Sequence, residues 1–192
     1  MKSRYKLSFT TGGLFVHESI ALASLYLDLD DWNAVREQVI KDNVLQTRTL
    51  STLHRTTREI IARLECLTHD ELAFLVLTSV QDQGYLLWIA ICRHYRLIGD
   101  FTIEILQERY RSLKGELNQL DVDAFFNRKS EWHPELEGIK PATRNKLKQV
   151  LFRILREAGL LGSGNSILVA MPSPQLLNIL VKNNDTDYLP LP

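Results

Sequence analysis

At 192 residues, with 45% apolar and 24% charged side chains, the chain has the balance of an ordinary globular protein and can build a core without metal or disulfide support. Its 23 basic and 23 acidic residues cancel, and its two cysteines, Cys66 and Cys92, sit in apolar stretches, the pattern of reduced thiols in a cytoplasmic protein rather than of a disulfide framework. The first 20 residues lack the apolar core of a secretory signal, and the longest apolar run, residues 85–92, is 8 residues against the roughly 20 that a membrane span needs.

Helical periodicity dominates the rest, so the expected class is mainly α. A first helix is expected after Thr11-Gly12-Gly13, running to about Tyr26. A second follows Asp30, whose side chain suits a cap, and carries Trp32, Val35 and Val39 at helical spacing. A third covers residues 51–66. Thr68 and Glu71 have capping-box spacing and open a fourth. Gly84 and Gly99 are expected to bracket an apolar helix, and another spans about 101–113. Residues 114–140, with Gly115, Pro134 and Gly138, read as a boundary, giving a helical domain over 1–115 and a second domain over 116–192. Pro141 suits the first turn of a helix that stops at Gly159. The segment SILVAM, residues 166–171, is the one convincing β signal. A short helix after Pro174 and a loose tail from Asp185 complete the chain.

The zero net charge conceals segregation. Residues 48–63 hold four arginines and one acid, and residues 140–156 hold six basic residues and no acid. Residues 64–92 hold four acids and no Lys or Arg. A neutral protein arranged this way can present a positive surface to phosphate.

On a wheel at about 100° per residue, Leu53, Thr57, Ile60, Ile61 and Leu64 gather on one side of the third helix. Ser51, Arg55, Arg58 and Ala62 fall together opposite, with His54 close by and Arg48 just upstream. Arginine beside small and hydroxyl residues on an exposed helix suits phosphate bridging or guanine readout. The second and third helices resemble a helix-turn-helix with a connector longer than usual. A solvated helix face is the plain alternative.

The helix from Pro141 has a clean inward stripe of Leu147, Val150, Leu151, Ile154, Leu155 and Ala158. Its cations, among them Arg144, Lys146 and Lys148, fan over the remaining arc. A helix, a Gly/Ser/Asn turn and then SILVAM is the local order of a winged-helix end, expected to supply a small β element. A structural helix docked on such an element is the competing reading.

Catalytic motifs fail on spacing. His17-Glu18 begins an HExxH pattern, but Ala21 stands at the second histidine position. Cys66, His69, Cys92 and His94 are four donors, yet the second pair is too close in sequence for an ordinary zinc clamp. Gly162 and Gly164 lack the strand and third glycine of a dinucleotide loop. No cofactor, metal or catalytic residue is therefore expected.

The runs YKLSFTTGGLFVHES, Asp31-Trp32, NVLQTRTLSTLHRTTREIIARL, LLWIAICRHYRLIGDF and REAGLL together resemble the BrxA family, small core components of BREX bacteriophage-defence systems. The resemblance covers about residues 5–161. It implies a non-enzymatic, mainly helical protein that binds double-stranded DNA and acts with other BREX proteins. A likeness suggested between the family and NusB-like antitermination factors keeps RNA as an alternative partner. A protein-interaction adaptor is the third. The nucleic-acid contacts expected from the residues themselves are Arg48, Ser51, His54, Arg55, Arg58, Arg144, Lys146 and Lys148.

Overall fold

The computed structural model describes residues 4–10 and 12–192, and these are mainly α-helical. Thr11, expected in the loop before the first helix, lies outside the described residues. Helix α1 spans Val16–Leu29 and α2 spans Trp32–Asp42. The cap of α2 is Asp31, whose carboxylate accepts from the Asn33 N–H at 2.8 Å. Asp30, expected in that role, instead takes a left-handed conformation (φ 50°) that ends α1, so one residue stops a helix and the next starts another.

Helix α3, Leu50–Leu64, is capped by Thr49, and α4, His69–Leu77, by the capping box of Thr68 and Glu71. Helix α5 spans Val80–His94 and begins at Ser79, not at Gly84. Gly84 lies inside the helix, beside the Ala158 backbone, and does not punctuate it. Every residue of α5 from Asp82 to Cys92 is buried. That accounts for the unbroken apolar run, since a helix enclosed on all sides needs no polar face.

Helix α6, Arg96–Phe101, continues through a π turn, Thr102–Leu106, into α7, Gln107–Arg111. The extra residue of a π turn rotates everything downstream. The Gln107 N–H closes it on the Thr102 carbonyl. The expected boundary region contains α8, Gln119–Ser130, and α9, Pro134–Glu137. Lys129 pairs with Asp100 and Glu104, and Arg128 with Glu104, fastening α8 to the π-turn helix. Helix α10, Pro141–Glu157, ends as expected through left-handed Gly159 (φ 73°), with the Leu160 N–H returning to the Leu155 carbonyl at 2.9 Å. Helix α11 spans Pro174–Asn183.

One continuous cluster of buried residues runs from Tyr5 to Leu189 and draws on both sides of residue 115. The N-terminal segment belongs to it: Tyr5 donates its hydroxyl to Asp100 and its N–H to Glu135, at 2.5 and 2.7 Å.

Two expectations for the C-terminal part need correction. SILVAM does not form a paired strand. The N–H groups of Ile167, Leu168 and Ala170 go to the carbonyls of Gly115, Leu160 and Pro190, three separate segments, so no ladder develops. Only the isolated antiparallel bridges Glu116 to Ser166 and Leu161 to Ile167 occur, and the β element of a wing is absent among the described residues. The tail is not loose either. Leu189 is fully buried, the Trp88 indole donates to the Tyr188 carbonyl at 2.9 Å, and Asp185 pairs with Arg93.

Arg93 also clasps Glu71 through two hydrogen bonds of 2.7 and 2.8 Å. Burial pushes the Glu71 carboxyl upward, but the Arg93 guanidinium and the Thr68 N–H outweigh burial and hold it below the ordinary glutamate range.

Candidate nucleic-acid interface

Helices α1, α2 and α3 pack against each other pairwise and make a compact three-helix corner. The connector from α2 to α3 is held in shape: Asn43 is left-handed (φ 45°), and its side-chain amide exchanges two 3.1 Å hydrogen bonds with the Thr47 backbone. Thr49 then accepts from the Thr52 N–H at 3.2 Å and starts α3. This segment is longer than a tight helix-turn-helix turn, but its ends are fixed by side-chain hydrogen bonds.

The buried side of α3 is Leu53, Thr56, Thr57, Ile60, Ile61, Arg63 and Leu64. Ser51, His54, Arg55 and Arg58 are exposed, as is Arg48 in the connector. Ser51 to Arg58 covers about 10 Å of helix axis. None of Arg48, Arg55 and Arg58 has an ion-pair partner among the described residues. The fourth arginine of the stretch differs. Arg63 is buried, donates to the Gly13 carbonyl at 2.8 Å and pairs with Glu59. Three cations therefore remain available for a partner.

Leu50 adds a feature that the wheel did not include. It is the first residue of α3 and is 66% exposed, beside Ser51. The expected start at Ser51 left it one position outside the helix. An apolar side chain at the leading end of an exposed helix is of the kind that meets a thymine methyl in a groove.

The cations of α10 are used differently. Arg144 pairs with Asp123 at 3.2 Å, donates to the Asp123 carbonyl and the Asn127 side chain at 2.8 and 2.7 Å, and lies over the Phe126 ring. Lys148 is 8% exposed and pairs with the same Asp123 at 2.7 Å. Arg153 pairs with Glu157 at 2.7 Å, one residue beyond the acid-free window. Arg156 bonds Asn165 and covers Phe152. Lys146 is exposed and has no ion-pair partner among the described residues. The candidate residues thus fall into a group on α3 and a separate group on α10, of which Lys146 alone is both exposed and unpaired.

The four possible metal donors are divided by the fold. The Cys66 thiol meets His94 Nδ1 at 3.7 Å, while Cys92 faces the Thr102 hydroxyl at 3.5 Å in the core. Burial raises both thiols above the ordinary range and lowers His94. Among the described residues no group of three or more His, Cys, Asp or Glu side chains could hold a metal ion, and no helix is long and apolar enough to cross a membrane.

Comparison with known proteins gives a consistent result. The BrxA family model matches residues 3–184. A BREX protein BrxA from Escherichia coli O9:H4 (strain HS) is 28% identical over 77% of this chain and 70% of its own. A BREX protein BrxA from Paramagnetospirillum magneticum (strain ATCC 700264 / AMB-1) is 26% identical over 95% of this chain and 92% of its own. A crystal structure of an uncharacterized protein from Magnetospirillum magneticum superposes with a TM-score of 0.77 at 24% identity, covering 97% of this chain and 96% of that one, and shows the shared fold. With nearly its whole length inside one family model, the chain belongs to the BrxA family.

Proposed function

We propose that this protein is a non-enzymatic, DNA-binding accessory component of a BREX phage-defence system, acting in the cytoplasm beside other BREX proteins. The system follows from the family and from the names its relatives carry. The DNA-binding part rests on one observation: α3 carries Ser51, His54, Arg55 and Arg58 on an exposed face, with Arg48 exposed in the connector before it, and none of these arginines is consumed by an internal carboxylate. Unneutralised cations repel one another, and a polyanion relieves that repulsion while releasing its counterions.

In this reading α3 enters the major groove, with α1 and α2 behind it. Arg48, Arg55 and Arg58 contact phosphates. Ser51 and His54 face base edges. Lys146 on α10 adds a backbone contact where the duplex reaches that side, and Arg144 and Lys148 contribute mainly by orienting the helix. Phosphate contacts dominate the affinity, so binding is weakly selective and steeply dependent on salt.

The test is fluorescence anisotropy of a labelled duplex across a salt series with the wild-type chain and with Arg55→Ala/Arg58→Ala. The expected result is weaker binding and a log–log salt slope shallower by about 2 units, near 0.9 per lost phosphate contact. An unchanged slope in the folded double variant removes α3 from the site. Stronger competition by a structured RNA than by the matched duplex would move the assignment to RNA.

A further inference from the structure

The segment ahead of α1 is pinned to the core by alternate residues. Tyr5 and Phe9 are buried and Leu7 packs against the core, while Arg4, Lys6 and Ser8 are exposed, the period of two that extended backbone produces. Besides its bonds to Asp100 and Glu135, Tyr5 stacks on His133 at 4.0 Å. Phe9 meets the Tyr95 ring edge-on at 5.3 Å. Neither Arg4 nor Lys6 has an ion-pair partner among the described residues. Glu135 lines the hollow beside them, but its carboxylate is taken by the Tyr5 N–H and by His133.

A chain of contacts sets this segment beside α3. Ser8 Oγ lies 3.4 Å from the Tyr95 hydroxyl, which donates its own proton to Glu59 of α3 at 2.5 Å. On the helix wheel Glu59 falls about 40° from Arg55, and Cys66 follows on the same flank at the end of the helix. Arg58 and the exposed acid Glu65 fall on the other flank. Lys6 is felt at that end of α3: burial raises the Cys66 thiol against the charges of Arg93 and Lys6, and burial lowers His94 with Lys6 adding to it. Glu59 is already used by Arg63 and Tyr95, so it does not neutralise the segment. The Arg55 flank of the exposed α3 face therefore continues onto Lys6 and Arg4.

We infer that Arg4 and Lys6 form a second cationic rail of the interface and contact the phosphate backbone bordering the groove that α3 enters, an inference that rests on the duplex-binding reading of α3. Outward side chains two residues apart in extended backbone are separated by about 6.6 Å, and each DNA strand carries a phosphate about every 3.4 Å of axis, so the two cations meet separate phosphates. Because Tyr5 and Phe9 anchor the segment in the core, its backbone is ordered before the duplex arrives and binding does not have to order it. The rail offers charge to phosphates and nothing to base edges, so it adds affinity and salt dependence without sequence selectivity.

The test extends the anisotropy salt series to full-length Arg4→Ala/Lys6→Ala, to the charge-conserving Arg4→Lys/Lys6→Arg, and to a charge-matched control, Lys114→Ala/Lys182→Ala, whose exposed cations sit on the α7–α8 connector and on α11. Arg4→Ala/Lys6→Ala should bind the duplex at least about fivefold more weakly at low salt, with a log–log slope shallower by about 2 units, while its melting temperature stays that of wild type. The charge-conserving variant should bind as wild type does. Combined with Arg55→Ala/Arg58→Ala, the slope should be shallower by about 4 units in total. A wild-type slope in the folded Arg4→Ala/Lys6→Ala chain, or a loss no larger than that of the control, overturns the rail and leaves the α3 reading intact. A loss in Arg4→Ala/Lys6→Ala beside an unchanged Arg55→Ala/Arg58→Ala chain supports phosphate contact by the segment and overturns the α3 reading instead. Absence of duplex binding by the wild-type chain at low salt overturns both.

Discussion

Helices α3 and α10 are both basic and amphipathic, yet the fold treats their cations in opposite ways. On α10, Asp123 reaches across from α8 and takes up Arg144 and Lys148 together, while Glu157 takes Arg153. On α3 only Arg63 is taken up, by Glu59 and the Gly13 carbonyl, and the exposed arginines remain unpaired. The count of positive charge in sequence favours α10; the count of available positive charge favours α3. Charge density along a helix is therefore a poor guide to a binding face until the acids contributed by neighbouring elements are known.

The most forceful way to break this contrast is Asp123→Ala. It strands Lys148 and Arg144 near the core, and because Asp123 is itself one-third exposed the loss should be about 1–3 kcal/mol, below the range for fully buried pairs. Thermal or urea unfolding measures it, and a change under about 0.5 kcal/mol would show that the α10 cations do not depend on that carboxylate. Duplex affinity should not fall in the same variant, since no positive charge is lost.

Arg55→Ala/Arg58→Ala probes the other half. Affinity should drop about tenfold or more at low salt, with the slope change given above, while stability stays within about 0.5 kcal/mol because neither side chain has an internal ion pair. A drop in stability comparable to that of Asp123→Ala would erase the distinction between the helices.

Thr49→Ala removes the cap of α3. Loss of the bond to the Thr52 N–H should lower stability by about 1 kcal/mol and loosen the end that carries Leu50 and Ser51. Unfolding curves check the first effect, and a faster off-rate from DNA checks the second.

The smallest effect is expected for Lys146→Ala. This exposed cation of α10 should change the salt slope by at most about 1 unit and leave melting unaltered. A slope change as large as that of the α3 double variant would place α10 at the centre of the interface instead.

The local signals were legible because they depend on near neighbours in the chain. Thr68 and Glu71 form their capping box, Pro141 opens α10, and left-handed Gly159 stops it. The 3.6-residue period alone separated Leu53, Ile60 and Leu64 from Ser51, Arg55 and Arg58, and burial divides them the same way. The β pattern of SILVAM misled because strand formation needs a ladder, and its N–H groups find three unrelated carbonyls. The tail misled because polar and proline-rich composition looks disordered unless a groove of matching donors exists, and Trp88 and Gln107 lie 100 and 82 residues from the carbonyls they hold.

The sequence by itself determined the helical class, the capping box of α4, the inward stripes and the family membership, all of them properties of spacing or of distributed identity. Tertiary structure decided which basic residues stay free. Asp123 stands 21 and 25 residues from Arg144 and Lys148, and Gly13 stands 50 from Arg63. A cation is neutralised by what folding brings beside it, and that neighbour is set by how the helices pack, not by the order in which they are written.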